Sequence, residues 1–255
     1  MDDFKQRLSD FYNHFNEDKR LDHRHGQVEF LTSLRYLHRY LEKGDKIIDI
    51  GAGRGAYSLY LKNEGYEVTA VEYVRPNIGM LKAKDPDLKV VEASATDLSM
   101  FADNEFDIAI LFGPLYHLYE KADRIKALKE ASRISRRYVF AAYIMNEYSV
   151  IQYAFKKNRY KQVKDKLQPD YHIDDPEALF FQVRIEDIDE LNELSGLKSV
   201  CRFAADGPSD YMRPTLNAMD EETFQAFLDF HLQTCERKEL LGASSHVVDI
   251  LKAED

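Results

Sequence analysis

Short apolar, β-branched runs alternate with helix-length segments through most of this 255-residue sequence. The runs at 46–50, 67–74, 89–92, 106–112, 137–145, 197–204 and 246–251 predict strands, and the segments at 28–42, 56–64, 76–84, 121–134, 186–195 and 220–240 predict helices. Strands and helices that alternate in this way form a parallel sheet with helices on both faces, because the crossover connections are right-handed. The sequence therefore predicts an α/β fold with a doubly wound, mostly parallel sheet.

The same pattern divides the chain into four parts. Residues 1–44 predict an N-terminal helical segment, and residues 45–145 carry the regular alternation of a core domain. Residues 146–184 interrupt that alternation with a long polar helix to about Leu167 and an acidic extended stretch, which indicates a lid insertion. Residues 185–255 return to strands and helices and are expected to complete the sheet.

Charge and cysteine content narrow the class of protein. The net charge of −10 disfavours a surface that binds polyanions generally. Cys201 and Cys235 are far apart in sequence, which indicates neither a disulfide framework nor a zinc cluster. The sequence begins without a basic segment followed by an apolar run, and no apolar stretch is long enough to span a bilayer. We therefore expect a cytoplasmic protein without a membrane partner.

A glycine-rich turn follows the first predicted strand in Gly51-Ala52-Gly53-Arg54-Gly55. A turn of this kind between a strand and a helix exposes backbone N–H groups and the positive end of the helix dipole, so it favours an anionic or strongly polar ligand. No Gly-Lys-Ser/Thr follows, which excludes a Walker loop. The glycines alone fit either a nicotinamide cofactor or S-adenosylmethionine.

Three carboxylates flank this turn in sequence. Asp49 comes two residues before the first glycine, Glu72 lies near the end of the second strand, and Asp97 follows the third strand. A carboxylate at position 72 can accept both hydroxyls of a ribose, and one at position 97 can accept a hydrogen bond from an adenine amino group. Together they outline an adenosine site without a cradle for a pyrophosphate.

The order of these motifs resembles that of class I S-adenosylmethionine-dependent methyltransferases. The matching motifs are Asp49-Ile50-Gly51-Ala52-Gly53-Arg54-Gly55, Val71-Glu72, Ala95-Thr96-Asp97-Leu98 and Gly113-Pro114-Leu115-Tyr116-His117-Leu118. The resemblance covers residues 45–145 and implies a seven-stranded sheet whose last strand is antiparallel. It also implies S-adenosylmethionine as the cofactor, bound above the carboxyl ends of the first, second and fourth strands. The Gly-Pro-Leu-Tyr-His motif resembles bacterial enzymes of the small-molecule type.

The resemblance also implies a role for each matching residue. It implies that Asp49, Gly51 and Gly53 contact the methionine half, that Glu72 binds the ribose and that Asp97 binds the adenine. Tyr73 is expected to pack on the adenine face, and Gly113 to lie under the reactive sulfonium.

Tyr116 and His117 are the candidates for chemistry, because they follow the fourth strand beside the expected sulfonium position. An imidazole with a pKa near 6.5 suits the deprotonation of a hydroxyl or a protonated amine. The alternatives are a His117 that hydrogen-bonds the backbone to shape its loop and a Tyr116 that packs in the cofactor pocket. Enzymes of this superfamily that methylate adenine or glutamine carry Asn/Asp-Pro-Pro-Tyr here, whereas this chain has Gly113 and Leu115, which favours another acceptor.

Other polar clusters have weaker patterns. Two sets could close over the cofactor or simply lead into the first helix, and these are His23, Arg24 and His25 together with Tyr12 and Arg20. Arg54 could meet the methionine carboxylate or face solvent. The spacing of His231, Cys235 and His246 fits no common zinc pattern, so we expect structural roles and no metal.

The expected function is transfer of a methyl group from S-adenosylmethionine to an O or N atom of a small molecule. One alternative is an RNA or protein methyltransferase, because residues 121–166 contain thirteen Lys or Arg against four Asp or Glu. The sequence favours a solvated lid helix over a nucleic-acid surface there. Another alternative is a non-catalytic subunit that only binds S-adenosylmethionine.

Overall fold

The computed structural model describes residues 7–8, 10–11 and 23–253. In chain order its strands are β1 (Lys46–Ile50), β2 (Glu67–Glu72), β3 (Lys89–Glu92), β4 (Phe106–Leu111), β5 (Ser135–Met145), β6 (Gln182–Val183), β7 (Leu197–Ala204) and β8 (His246–Ala253). Its α-helices are α1 (Arg24–Tyr40), α2 (Ala56–Asn63), α3 (Arg75–Lys84), α4 (Lys121–Ile134), α5 (Asn146–Ser149), α6 (Tyr160–Val163), α7 (Ile185–Ser195), α8 (Arg213–Ala218), α9 (Glu221–Thr234) and α10 (Lys238–Leu241).

The strands form one sheet in the order β3-β2-β1-β4-β5-β8-β7, and β6 pairs with β5. The pairings from β3 through β5 are parallel, whereas β8 runs antiparallel to both β5 and β7. The predicted Rossmann-like sheet with an antiparallel last strand is therefore confirmed. The short β6, which pairs in parallel with Ile144 and Met145, is an addition that the seven-stranded expectation did not contain.

The strand order places a crevice at one edge of the sheet. β1 lies between β2 and β4, so the connections that leave β1 and β4 turn to opposite sides. β1 is buried from Ile47 to Ile50, and β4 is buried from Ile108 to Leu111, as the apolar runs predicted for central parallel strands. Ligands of such sheets bind at this switch point, outside the carboxyl ends of the strands.

The single polar helix predicted from residue 146 to about 167 is wrong. α5 continues into a π-helical segment (Val150–Lys156), and the chain then leaves the helical conformation before α6 and a 3-10 turn (Lys164–Lys166). Asn158 has φ +52°, a left-handed conformation that a continuous helix cannot accommodate. The lid insertion is thus built from short pieces that follow the rim of the sheet.

Candidate functional site

The glycine-rich turn crosses the end of β2 before it enters α2. The N–H groups of Gly51 and Ala52 donate to the carbonyl of Val71 at 2.8 and 3.0 Å. Gly51 has φ +77°, and a Cβ atom there would lie 2.6 Å from Cδ of Pro114. The turn therefore needs glycine for both its backbone conformation and its close approach to the segment after β4.

Gly51→Ala is expected to lower the affinity for S-adenosylhomocysteine, the demethylated product, about tenfold, because the new methyl group displaces Pro114 and strains the turn. Isothermal titration calorimetry measures the change. Gly65→Ala is the matched control, since Gly65 also has a positive φ but a Cβ atom there would meet no atom within 4 Å. Equal losses of affinity in both variants would contradict the close-approach argument.

Asp49 lies at the floor of the crevice, at the end of β1. It is 3% exposed, and its Oδ2 accepts a hydrogen bond from the Ser58 hydroxyl on α2 at 2.5 Å. A buried carboxylate in this position provides acceptor oxygens that suit the ammonium of a methionine moiety.

Glu72 is a buried carboxylate of the site whose pKa is raised. It is 5% exposed, and its oxygens accept hydrogen bonds at 2.7 Å from the N–H groups of Gly53, Tyr73 and Val74. Burial raises the pKa of Glu72 to about 7, although these donors and the Asn77 side chain oppose the shift. Glu72 therefore ties the glycine turn to the end of β2 and titrates near neutral pH.

Binding of S-adenosylhomocysteine is expected to strengthen about tenfold between pH 6 and pH 8, because ribose hydroxyls donate more strongly to ionised Glu72. The stability of the protein without ligand changes with pH in the opposite direction to the affinity. The raised pKa stabilises the fold fully below the unfolded value of 4.5, and that contribution is lost as pH rises through about 7. Calorimetry across this pH range tests the prediction, and equal or weaker affinity at pH 8 would contradict it.

Asp97 is not among the residues that line the cavity, and its role as an adenine ligand stays a prediction. Its exposed carboxylate accepts hydrogen bonds from the backbone N–H and the hydroxyl of Ser99, which lowers the pKa of Asp97. The residues that line the cavity after β3 are instead Ser94, Ala95 and Thr96. Asp97 caps a turn, an ordinary role for Asp that its spacing in sequence does not distinguish from ligand binding.

Gly113, Tyr116 and His117 come together at the end of β4, as predicted. A 3-10 turn (Pro114–His117) carries the two side chains, and the Tyr116 hydroxyl donates to the carbonyl of Phe112 at 2.9 Å. His117 Nδ1 lies 2.8 Å from the carbonyl of Leu179 and donates to it. Burial lowers the pKa of His117 to about 4, despite that hydrogen bond, so the ring is neutral at physiological pH.

Residues 179–181 contact this turn. Besides the bond from His117 to Leu179, the N–H of Phe181 donates to the carbonyl of Tyr116 at 2.6 Å. The ring of Phe180 packs 5.0 Å from the ring of His117. The structure therefore shows the backbone hydrogen bond of the alternative reading of His117, and its partner is the carbonyl of Leu179.

These parts surround a cavity of about 380 Å³, within the usual range of about 300–1,000 Å³ for small-ligand sites. Seven predicted residues line it alongside Tyr116 and His117, and these are Asp49, Gly51, Gly53, Arg54, Glu72, Tyr73 and Gly113. Leu8 and Glu29 from the N-terminal segment also line it, and sequence reasoning missed both. The periodicity of an amphipathic helix identifies the apolar face that packs on the core. It does not identify which polar residue of that helix lines a cavity.

Three residues that could have covered the cofactor contact other parts of the chain, and these are His23, Arg24 and His25. Arg24 pairs with Glu221, and His25 hydrogen-bonds Asn217, so both fasten α1 to the helices after β7. His23 packs against His25 and does not line the cavity. Tyr12 and Arg20 lie outside the described residues.

His231, Cys235 and His246 occupy separate environments. His231 is buried beneath Gly207, where its Nε2 faces the carbonyl of Ala205, and burial lowers its pKa. Burial raises the pKa of the Cys235 thiol. His246 contacts Asp206 and Glu29 instead.

Comparisons with known proteins agree with this geometry. Residues 48–142 match the family model described as "Methyltransferase domain". The chain is 33% identical over 111 residues to a cypemycin N-terminal methyltransferase of Streptomyces sp, a match that covers 42% of each chain. It is 33% identical over 96 residues to a demethylmenaquinone methyltransferase of Paenarthrobacter aurescens, covering 36% of this chain and 35% of that protein. The matches thus span well under half the length of these curated relatives.

The fold extends further than the sequence similarity. The crystal structure of a SAM-dependent methyltransferase from Methanosarcina mazei superposes with a TM-score of 0.58 and 18% identity, covering 86% of this chain and 98% of that one. The glycine turn, the buried Glu72 and a cavity of adequate size fit an S-adenosylmethionine ligand. Residues 48–142 therefore match a methyltransferase domain, and the cofactor that the site fits is S-adenosylmethionine. Among the described residues, no helix is long and apolar enough to cross a membrane.

Proposed function

We propose that the whole chain is an enzyme that transfers a methyl group from S-adenosylmethionine to an O or N atom of a small molecule. The observation that carries this proposal is the cavity itself. Its lining includes the buried Glu72 carboxylate, Gly113 and the turn that carries Tyr116 and His117. When bound, the cofactor supplies a methyl group on an electrophilic sulfonium.

Each lining residue has a defined task in this proposal. Asp49 and the turn of Gly51 and Gly53 hold the methionine half, and Glu72 accepts the ribose hydroxyls. Tyr73 packs on the adenine, while Ser94 and Thr96 take the position near the adenine amino group that the sequence had given to Asp97. Gly113 lies beneath the reacting centre in this proposal, where a Cβ atom would approach the carbonyl oxygen of Gly51 to 3.3 Å.

The protein's contribution to the reaction is alignment and exclusion of water. An in-line displacement needs the acceptor atom roughly 3 Å from the methyl carbon, and a closed cavity holds it there. Residues 179–181 contact Tyr116 and His117, and both of these residues line the cavity. No covalent nucleophile of the protein takes part in this proposal.

His117→Ala is expected to lower the rate of methyl transfer about tenfold and to change S-adenosylhomocysteine affinity less than about twofold. The reason is that His117 holds the lid at the acceptor end, away from Glu72. Because the pKa of His117 is about 4, its ionisation does not shape the rate between pH 6 and pH 8. A wild-type rate in the variant would remove His117 from the reaction.

A small acceptor is favoured over RNA because part of the basic region from 121 to 166 is engaged within the fold. Arg124 is buried, donates to the carbonyls of Leu118 and Tyr119, and packs its guanidinium 3.7 Å from the ring centre of Phe181. Several other basic side chains pair with local carboxylates, namely Lys121, Arg133, Arg136, Arg137 and Lys166. Six of the thirteen basic side chains of this region thus have partners within the fold, whereas five others are exposed on the segment after β5, namely Lys156, Lys157, Arg159, Lys161 and Lys164.

Calorimetry with S-adenosylhomocysteine and with NADH tests the proposed cofactor, and methyl-labelled S-adenosylmethionine with a metabolite extract tests turnover. We expect binding of S-adenosylhomocysteine alone and transfer of label to a small molecule. Binding of NADH in its place would overturn the proposal. Tight binding without any labelled product would favour the non-catalytic subunit.

A further inference from the structure

Three ionisable side chains from distant parts of the chain meet behind the acceptor end of the cavity. Glu29 comes from α1, Asp206 follows β7, and His246 opens β8. His246 Nδ1 lies 2.8 Å from Asp206 Oδ2 and 3.7 Å from Glu29 Oε2. We refer to these three residues as the Glu29–His246–Asp206 cluster.

Asp206 is the buried carboxylate of the cluster and is held by several hydrogen bonds. It is 3% exposed and accepts hydrogen bonds from the Ser244 hydroxyl at 2.6 Å and from the backbone N–H of His246 at 2.9 Å. Burial alone would raise the pKa of Asp206, but the contacts with His246 and Ser244 bring it below the ordinary value. Asp206 is therefore ionised and holds the imidazole with Nδ1 as the donor.

Glu29 is the residue of the cluster that lines the cavity. Its side chain is 14% exposed, and it lies among the lining residues with Tyr116. The ring of His246 is 6.4 Å from the ring of Tyr116, so the cluster lies beside the turn that carries Tyr116 and His117. Two carboxylates, those of Glu29 and Asp206, thus face one imidazole.

We propose that the cluster is the binding site for a positively charged amine, so that the methyl acceptor is an amine nitrogen held by Glu29. This inference rests on the proposed methyltransferase function and deepens it. A half-buried carboxylate in a closed cavity binds an ammonium by a charge-assisted hydrogen bond, whereas a neutral hydroxyl gains much less there. The name of the cypemycin N-terminal methyltransferase describes an acceptor of the same chemical class.

The cluster also provides a place for the proton that must leave. An ammonium has no lone pair, so the Glu29 carboxylate first takes one proton and leaves a neutral amine. The amine nitrogen then forms its bond to the methyl carbon as the carbon–sulfur bond breaks, and that electron pair stays on sulfur. The product is an N-methylammonium, and Glu29 returns its proton to solvent. His246 and Asp206 act as positioning residues through their contacts with Glu29.

Matched amine and alcohol pairs test the inference on the protein saturated with S-adenosylhomocysteine. The probes are butylamine with butanol, benzylamine with benzyl alcohol, and 2-phenylethylamine with 2-phenylethanol, measured by calorimetry. We expect the amine of at least one pair to bind about tenfold or more tightly than its alcohol. Glu29→Gln should reduce that preference to less than about twofold while leaving S-adenosylhomocysteine affinity unchanged.

Glu120→Gln is the matched control, because Glu120 also lines the cavity but is exposed at its rim. It should keep the preference for the amine. Equal binding of amines and alcohols, no binding of any amine, or an amine preference retained in Glu29→Gln would each overturn the inference and leave the methyltransferase proposal standing. Failure of the wild-type protein to bind S-adenosylhomocysteine would instead overturn the proposed function.

Discussion

Glu72→Ala is expected to weaken the binding of S-adenosylhomocysteine about 100-fold, because two hydrogen bonds to a charged acceptor contribute about 1.5–3 kcal/mol each and their loss is only partly offset by water. The substitution also removes the acceptor that ties the N–H of Gly53 to the end of β2. Both effects act on the same turn. Calorimetry at pH 8, where Glu72 is ionised, measures the loss.

Glu67→Ala is the control for that experiment. Glu67 opens the same strand that Glu72 closes, and its side chain is 68% exposed beside Lys46. Its removal should change neither S-adenosylhomocysteine affinity nor the melting temperature measurably. If the Glu72→Ala protein binds as tightly as the Glu67→Ala protein, Glu72 is not the ribose ligand.

Asp249→Ala is expected to lower the free energy of unfolding by about 3–5 kcal/mol, because it leaves the guanidinium of Arg202 without its buried partner. Asp249 is 0% exposed on β8 and accepts hydrogen bonds from Asn192 on α7 and from Ser199 and Arg202 on β7. Urea denaturation followed by circular dichroism measures the change.

Asp189→Ala separates the buried partner of Arg202 from its exposed one. Asp189 also accepts from Arg202, at 2.7 Å, but its side chain is 64% exposed. We expect that variant to lose less than about 1 kcal/mol. A similar loss in both variants would show that burial does not set the strength of these contacts.

The outcome at individual residues shows where sequence reasoning is strong. Glu72 was identified from its place at the end of a predicted strand, and the structure puts it at the cavity because neighbouring parallel strands end at the same edge. Asp97 was identified from a similar spacing but follows the short β3 by several residues, where a turn directs its carboxylate to Ser99. Strand geometry transmits position reliably along the chain, whereas a loop of even a few residues does not.

The lid shows a second limit. Its polar composition predicted one helix, yet tertiary contacts with Tyr116 and His117 accompany a chain that breaks at Asn158 and runs extended past the cavity. Local propensity is a weak preference that packing overrides.

The alternation of apolar runs and helices, with glycines after the first strand, determined the doubly wound sheet and the edge at which a ligand binds. These are local properties, since each follows from the period of side chains along a few residues and from the handedness of crossovers. The tertiary structure alone decided that Glu29, Asp206 and His246 meet, and that Asp249 joins Arg202 inside the sheet. Glu29 and His246 are 217 positions apart and come into contact only through the packing of complete elements, and no local pattern in the sequence records that proximity.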